Sequence, residues 1–437
     1  MEYPLHVGTS RTKTYEDGIL KKLSELHERS LEIPAYRERL KGKGLDRPLS
    51  SEEIEKYMLD LATTDGLYKS FNFNGLLFPE DNPKGFVKWL NSIMYEKIDP
   101  DKFDRKYSRL QELIDDLEEE GIYLATSSGT GGKLTFIPRD KDTVEKAKLS
   151  YSLHAKNVVL PDENLDEWYF IAAMPEKTVI YIANGGRWTA EELFPERYKF
   201  VMPDVDADTL RKKMGNYKTR VEKLFGPLIA PVLIEKLKKK TAEKLIEAFE
   251  EYEGKKVVLF CNGPQLYKIL EIVEKKGYYP KFNGLIIATG GGNKGINVTD
   301  KEVEREFREY FGKHNDFKRA DVYGMAEINS AFMSLQEPGD VEVNGIRNRY
   351  APPWIYVRVV DPYTMKIKPR KGKQRGLLLV GDPLHTNVSP FFLVGDEVKV
   401  NFDPDEETGI ITPRVDVLGR LGMDTRGGCS RELSLER

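Results

Sequence analysis

From Ile122 onward the chain alternates short apolar runs with helical stretches, and no other feature of its 437 residues limits the fold as tightly. Trp168–Met174, Val179–Ala183, Val257–Cys261, Leu285–Ala288 and Ala320–Tyr323 read as strands, with helices at Asp208–Met214, Thr241–Tyr252, Pro264–Lys275 and Lys301–Phe311. A strand that is apolar on successive residues needs cover on both faces, which crossover helices supply. The pattern therefore predicts an α/β fold around a largely parallel sheet. Before it, residues 1–120 read as a helical region. Leu20, Leu23 and Leu26 recur at helical spacing, as do Leu110, Leu113, Ile114 and Leu117, and Gly121 marks a stop. After Asn344, the runs Ile355–Val360, Gly376–Val380, Val394–Val400 and Ile410–Val417 follow one another without helices, predicting a smaller antiparallel β-rich part. The expected organisation is thus 1–120 helical, 121–344 an α/β core, 345–420 β-rich, and 421–437 a flexible tail.

Charge narrows the partners. Lys and Arg number 68 against 71 Asp and Glu, a net charge of −3 with the signs interspersed, which is not the footprint of a nucleic-acid binder. Met1–Asp17 lacks the apolar core of a signal peptide, and stretches such as Pro227–Ile234 fall well short of the roughly 20 residues a bilayer span needs. Two cysteines, Cys261 and Cys429, make no disulfide framework, and with five histidines they show no zinc-ligand spacing. The expectation is a cytoplasmic protein whose partners are small molecules or another protein.

The most informative stretch is Ala125-Thr-Ser-Ser-Gly-Thr-Gly-Gly-Lys-Leu-Thr-Phe-Ile-Pro138. Ser127, Ser128, Gly129, Thr130, Gly131, Gly132 and Lys133 offer backbone N–H groups, hydroxyls and one cation, all suited to phosphate oxygens. A Walker loop is excluded by spacing: Ser127 stands where its first glycine belongs, and Leu134 replaces its hydroxyl. A helix starting near Asp142, with an acidic cap and Glu145 three residues on, is expected to follow. The loop resembles the phosphate loop of the adenylate-forming enzymes, in which it holds the β- and γ-phosphates of ATP.

Three further segments resemble that superfamily's motifs in the same order. Gly290-Gly291-Gly292-Asn293-Lys294 follows a predicted strand, where glycines let a flat base approach the backbone. Asp321-Val322-Tyr323-Gly324-Met325-Ala326-Glu327 resembles the Tyr-Gly-x-x-Glu motif, which implies that Tyr323 stacks on adenine and Glu327 helps to hold magnesium. Gly395-Asp396 resembles the pair whose aspartate grips the ribose hydroxyls. Gly381-Asp382 competes for that role, but Asp396 sits better relative to Gly419-Arg420, the counterpart of the Gly-Arg hinge. The resemblance implies an adenylate-forming large domain with a β-rich C-terminal part, and the chain ends at Arg437 where most acyl-CoA ligases continue into a lid domain.

Within the superfamily the chain looks most like the acyl-protein synthetases, the fatty-acid-activating subunits of bacterial luminescence reductase complexes, over about residues 120–437. Its Asn293 stands where that family usually has tryptophan. The resemblance implies ATP and magnesium as cofactors, acyl transfer from AMP to Cys429 as a thioester, and an acyl-CoA-reductase-like partner. Arg426 and Arg431 would favour a Cys429 thiolate, while Cys261 falls in a predicted buried strand. His385 reads as a satisfied loop histidine, and Tyr169, Phe170 and Trp188 are candidates for an acyl pocket. Two other readings stay open: an acyl-AMP ligase that serves coenzyme A or an amine, and an inactive nucleotide-binding scaffold.

Overall fold

The computed structural model describes residues 9–74, 78–128, 134–161, 163–213, 217–218, 220–291, 296, 298–345, 348–406 and 408–420. Five helices open the chain: α1 (Thr9–Ser30), α2 (Pro34–Leu40), α3 (Ser51–Leu61), α4 (Pro83–Ile93) and α5 (Leu110–Glu119). The spacings predicted as helical bury Leu20, Leu23, Leu26, Leu110, Leu113, Ile114 and Leu117, and Gly121 ends α5 with a φ of 82°. A hairpin follows, β1 (Tyr123–Ser128) and β2 (Leu134–Arg139), antiparallel with Ser128 opposite Leu134. The glycine-rich loop is therefore the hairpin connection.

The α/β expectation holds. After α6 (Lys141–Val158) come β3 (Trp168–Pro175), α7 (Tyr181–Leu193), β4 (Tyr198–Met202), α8 (Ala207–Lys213) and α9 (Arg220–Glu251). Then follow β5 (Lys256–Cys261), α10 (Gly263–Lys275), β6 (Leu285–Gly290), α11 (Asp300–Phe311) and β7 (Phe317–Gly324). Strands β4, β3, β5, β6 and β7 lie in that spatial order and are parallel. Their residues split by parity between two cores. Val257, Leu259, Cys261, Leu285 and Ile287 pack with α9–α11, whereas Val258, Phe260, Ile286 and Ala288 pack with α6 and α7. Burial on both faces is why these runs are apolar without a break.

The rest of the chain adds β8 (Ala331–Gln336), α12 (Pro338–Asn344), β9 (Arg349–Tyr350), β10 (Tyr356–Val360), β11 (Lys373–Gly381), β12 (Phe391–Asn401) and β13 (Arg414–Arg420). These strands are antiparallel as expected, and they extend the same sheet in the order β10-β11-β12-β13-β9-β8-β7. Helices α1–α3 fold back on this end, with Leu23, Ile54 and Met58 in one cluster with Tyr356, Leu377 and Leu379.

Several local expectations need correction. Val179–Ala183 is not a strand: Thr178 and Ile180 make single bridges to Val205 and Thr126, and α7 begins at Tyr181. The β-branched pair Val179-Ile180 supplied the strand signal, but only the linker is extended. The helix expected at Thr241–Tyr252 is the second half of the longer α9, and the last strand begins at Arg414 rather than Ile410. Asp140, not Asp142, caps α6: its carboxylate accepts the Thr143 amide at 2.8 Å, and Glu145 pairs with Lys148 instead of closing a capping box. Asp140 also accepts from the Thr386 hydroxyl at 2.8 and 2.9 Å, so it joins α6 to the loop after β11. Asp140→Ala is expected to lower stability by about 1–2 kcal/mol, read as a lower urea midpoint with unchanged slope, and Asp140→Asn to retain most of it.

Candidate active site

Parallel strands end on one edge of the sheet, and the crevice outside their C-terminal ends is where open α/β sheets bind ligands. Of the sequence-predicted residues that are described, Gly290, Tyr323, Gly324 and Asp396 lie along this edge. Gly290 ends β6 and pairs with Val322 of β7, immediately before Tyr323 and Gly324. Asn262, just past β5, donates its amide to the carbonyls of Gly290 and Gly291, at 3.1 Å each, while its oxygen caps α10. The start of the triple-glycine turn is thus fixed by a side chain two strand-ends away in sequence. Thr289 and Arg349 both reach Asp321, which ties β6, β7 and β9 together below the edge.

Across the antiparallel half, β12 returns Asp396 to the same edge, where its carboxylate accepts a hydrogen bond from the Tyr323 hydroxyl. Asp396 lies opposite Arg420 in the register of β12 and β13. Gly381-Asp382, the rival pair, is placed elsewhere: Asp382 is fully buried beneath the site. Gly324 allows β7 to approach α7, since a Cβ there would lie 2.2 Å from the Ile182 Cδ1 atom. The hairpin docks close by. The Thr126 amide and hydroxyl donate to the Val179 carbonyl just past β3, so β1 is anchored near the C-terminal edge.

Beneath these residues lies a network that sequence reasoning missed. Arg139, the last residue of β2, is 1% exposed. Its guanidinium donates to the Asn329 side-chain oxygen at 2.6 Å and to the Ala326 carbonyl at 2.6 Å, and it stacks over the Tyr181 ring at 3.8 Å. Asn329 in turn donates its backbone and side-chain N–H groups to Asp382, at 2.7 and 3.1 Å. His385 bonds through Nε2 to the Glu327 carbonyl at 2.9 Å. The link from β7 to β8 that carries Glu327 is therefore held from the hairpin side by Arg139 and from below by Asp382 and His385. The reading of His385 as satisfied holds for Nε2 only: Nδ1 has no partner among the described residues, and burial holds the ring well below its usual pKa. The one available signal was a lone arginine closing an otherwise apolar strand, Leu134–Arg139.

An apolar cavity lies between α6, α7 and the face of β3, β5, β6, β7 and β8, with about 470 Å³ of atom-free space, its mouth included. Ala155, Leu160, Leu193, Phe194, Phe260 and Met333 are among its walls, and Val322 at the roof adjoins Tyr323. Of the three aromatic candidates, Phe170 lines it, Trp188 packs behind Tyr151, and Tyr169 turns to the opposite face of the sheet. Cys261 is buried and its thiol is pushed up to about 12 by desolvation, which makes it a core residue as expected.

Of the remaining expected site residues, Gly129, Thr130, Gly131, Gly132, Lys133, Gly292 and Cys429 lie outside the described residues, as do the side chains of Ser127, Ser128 and Arg420. Among the described residues no three His, Cys, Asp or Glu side chains gather as a metal cluster.

Residues 232–436 match the family described as acyl-protein synthetase, LuxE. The match bears out the resemblance over the second half of the chain and includes Tyr323, Glu327, Asp396, Arg420 and Cys429, but not the glycine-rich loop. The long-chain-fatty-acid–luciferin-component ligase of Aliivibrio fischeri is 26% identical over 204 residues, 44% of this chain and 49% of that protein. Its counterpart in Vibrio harveyi is 28% identical over 189 residues, 41% and 45% of the two chains. The chain thus spans about half the length of the curated relatives it matches. Among solved structures, the AtGH3.15 acyl acid amido synthetase in complex with 2,4-DB gives a TM-score of 0.44 at 10% identity, over 94% of this chain and 70% of that one. No helix among the described residues is long and apolar enough to cross a membrane.

Arg139→Met would leave Asp382 and the Ala326 carbonyl without their cation, and is expected to cost roughly 3–5 kcal/mol in denaturant unfolding, less in an Asp382→Asn background. Burial pushes the Asp382 carboxyl up to about 6 against the amide N–H groups that hold its charged form. An acid whose pKa rises on folding favours the fold while protonated, so this contribution is present below the ordinary value of 3.8 and is lost as pH rises through about 6. Asp382→Asn should remove that fall, seen by comparing unfolding midpoints of the two proteins between pH 4 and 7.

Proposed function

We propose that this chain activates a fatty acid with ATP as an acyl-adenylate and then carries the acyl group as a thioester on Cys429. The observation that carries this reading is the meeting of Tyr323 and Asp396 at the sheet edge, with Val322, the residue before Tyr323, in the wall of an apolar cavity. A nucleotide subsite and an alkyl-chain subsite then share one boundary, which is what joining an acid to AMP requires. The family match and the ligase names of the relatives support the same chemistry.

In this reading Tyr323 lies on the adenine, Asp396 accepts from the ribose hydroxyls, and Lys133 with the loop at 127–132 meets the outer phosphates. A carboxylate accepts several donors at once, so its bond from Tyr323 is compatible with sugar binding. A bound magnesium ion, with Glu327 among its ligands, would offset the repulsion between carboxylate and triphosphate. One carboxylate oxygen of the acid attacks the α-phosphorus, the bond to the β-phosphate breaks, and pyrophosphate leaves with that electron pair. The Cys429 thiolate then attacks the acyl carbon and AMP departs, leaving a thioester that a reductase-type partner can receive.

Intact-protein mass spectrometry after incubation with MgATP and fatty acids of graded length is the test. A hydroxylamine-sensitive acyl adduct is expected on the wild type and not on Cys429→Ala, while acid-dependent ATP–pyrophosphate exchange survives the substitution. The buried Cys261 is expected to stay unlabelled. Exchange without an adduct would move the acceptor to coenzyme A or an amine. Absence of exchange with every acid would overturn the proposal in favour of a nucleotide-binding scaffold.

A further inference from the structure

Tyr151 lies on α6, the helix that follows the glycine-rich hairpin, and is 1% exposed. Its ring stands edge-on to Tyr181 and Trp188, with centroids 6.2 and 6.0 Å away. It also presses on the backbone of α7, where a Cβ on Gly185 would come within 2.4 Å of its Cε1 atom. The ring is fully packed, yet its hydroxyl has no hydrogen-bond partner among the described residues. A desolvated hydroxyl without a partner opposes folding, and phenylalanine would fill the same space without that cost.

The position of the hydroxyl accounts for its retention. Tyr151 is among the residues that line the apolar cavity, and its oxygen is 3.4 Å from where a Cβ on Gly324, the residue after Tyr323, would stand. The other hydroxyl in the lining, that of Thr189, already donates to the Gly185 carbonyl at 2.9 Å. Burial holds the Tyr151 phenol well above its usual pKa, so it remains a donor.

We propose that the Tyr151 hydroxyl recognises the head of the acid, donating its hydrogen to one carboxylate oxygen while the alkyl chain fills the cavity. The inference rests on the fatty-acid-activating reading of this site. An ionised acceptor suits the position because a hydrogen bond to a charged group is about twice as strong as one between neutral groups. The second carboxylate oxygen is left to attack the nucleotide, and the bonded oxygen becomes the acyl carbonyl.

Tyr151→Phe and wild type are to be compared in three measurements: thermal unfolding, calorimetric binding of a fatty acid and of the alcohol of equal length without ATP, and acid-dependent ATP–pyrophosphate exchange. The variant is expected to unfold at the same or a higher temperature and to bind the alcohol like the wild type. Its acid affinity should fall about tenfold to a hundredfold, with a matching rise in KM. Unchanged acid affinity would overturn the assignment, as would an equal loss for acid and alcohol with a lower unfolding temperature, the mark of packing alone. If the wild type neither binds acids nor catalyses exchange, the fatty-acid reading itself falls. If the wild type does both and the variant matches it, only the role of Tyr151 falls.

Discussion

The buried guanidinium of Arg139 is the constraint on which the geometry of the site depends. Arginine cannot shed its proton inside a protein, so its charge at 1% exposure has to be met by acceptors fixed in place. Those acceptors are the Ala326 carbonyl and Asn329, on the link between β7 and β8, and beyond Asn329 the carboxylate of Asp382. One side chain therefore sets the distance from the glycine-rich hairpin to the segment bearing Glu327. The hairpin pairs only with itself, apart from the single bridge from Thr126 to Ile180, and is not a strand of the main sheet. Without Arg139, the described ties that remain are those of Thr126 to Val179 and Ile180, at the β1 side of the hairpin, and side-chain packing.

The change from parallel to antiparallel pairing at β7 has a functional consequence. Parallel strands β3, β5, β6 and β7 all present their C-terminal ends on one edge, so they supply residues at or just past those ends, Gly290 of β6 and Tyr323 of β7 among them. Asp396 reaches that edge because β12 runs through the antiparallel half and carries it to Tyr323 from 73 residues away in sequence. The Tyr323–Asp396 bond thus joins the last residues of a parallel strand to the middle of an antiparallel one. The loop after β11 completes the arrangement from below, with Asp382 and His385 contacting the β7–β8 link and Thr386 the cap of α6.

What the sequence disclosed follows from the range of the interactions involved. The strands of the parallel half were legible because burial on both faces writes itself into consecutive residues, and α10 and α11 because periodicity and caps are local. Gly395-Asp396 was preferred over Gly381-Asp382 on motif order alone, and the pairing with Tyr323 agrees with that preference. The failures share a cause. Val179-Ile180 imitates a strand that only tertiary pairing would have made, and Arg139 finds its partner Asn329 190 residues later. The unpartnered Tyr151 hydroxyl leaves no trace at all, since the absence of a partner is a property of the fold.

These ranges also bear on how far the likeness to the acyl-protein synthetases extends. The match begins at residue 232, so it takes in Tyr323, Glu327, Asp396 and Cys429, the residues assigned to nucleotide and acceptor. In the cavity it takes in Val258, Phe260, Ala288, Val322 and Met333 on the sheet face. The opposite wall, from Tyr151 through Leu160 on α6 and its following turn to Ile182 through Phe194 on and after α7, precedes the match. Similarity to the relatives therefore covers the residues proposed for nucleotide and acceptor more than those that set the shape of the cavity. That shape is set by how closely α7 lies on α6 and the sheet, a distance fixed where the Gly185 backbone meets the Tyr151 ring. The residue that holds the wall together is thus also the one whose buried hydroxyl has no partner among the described residues.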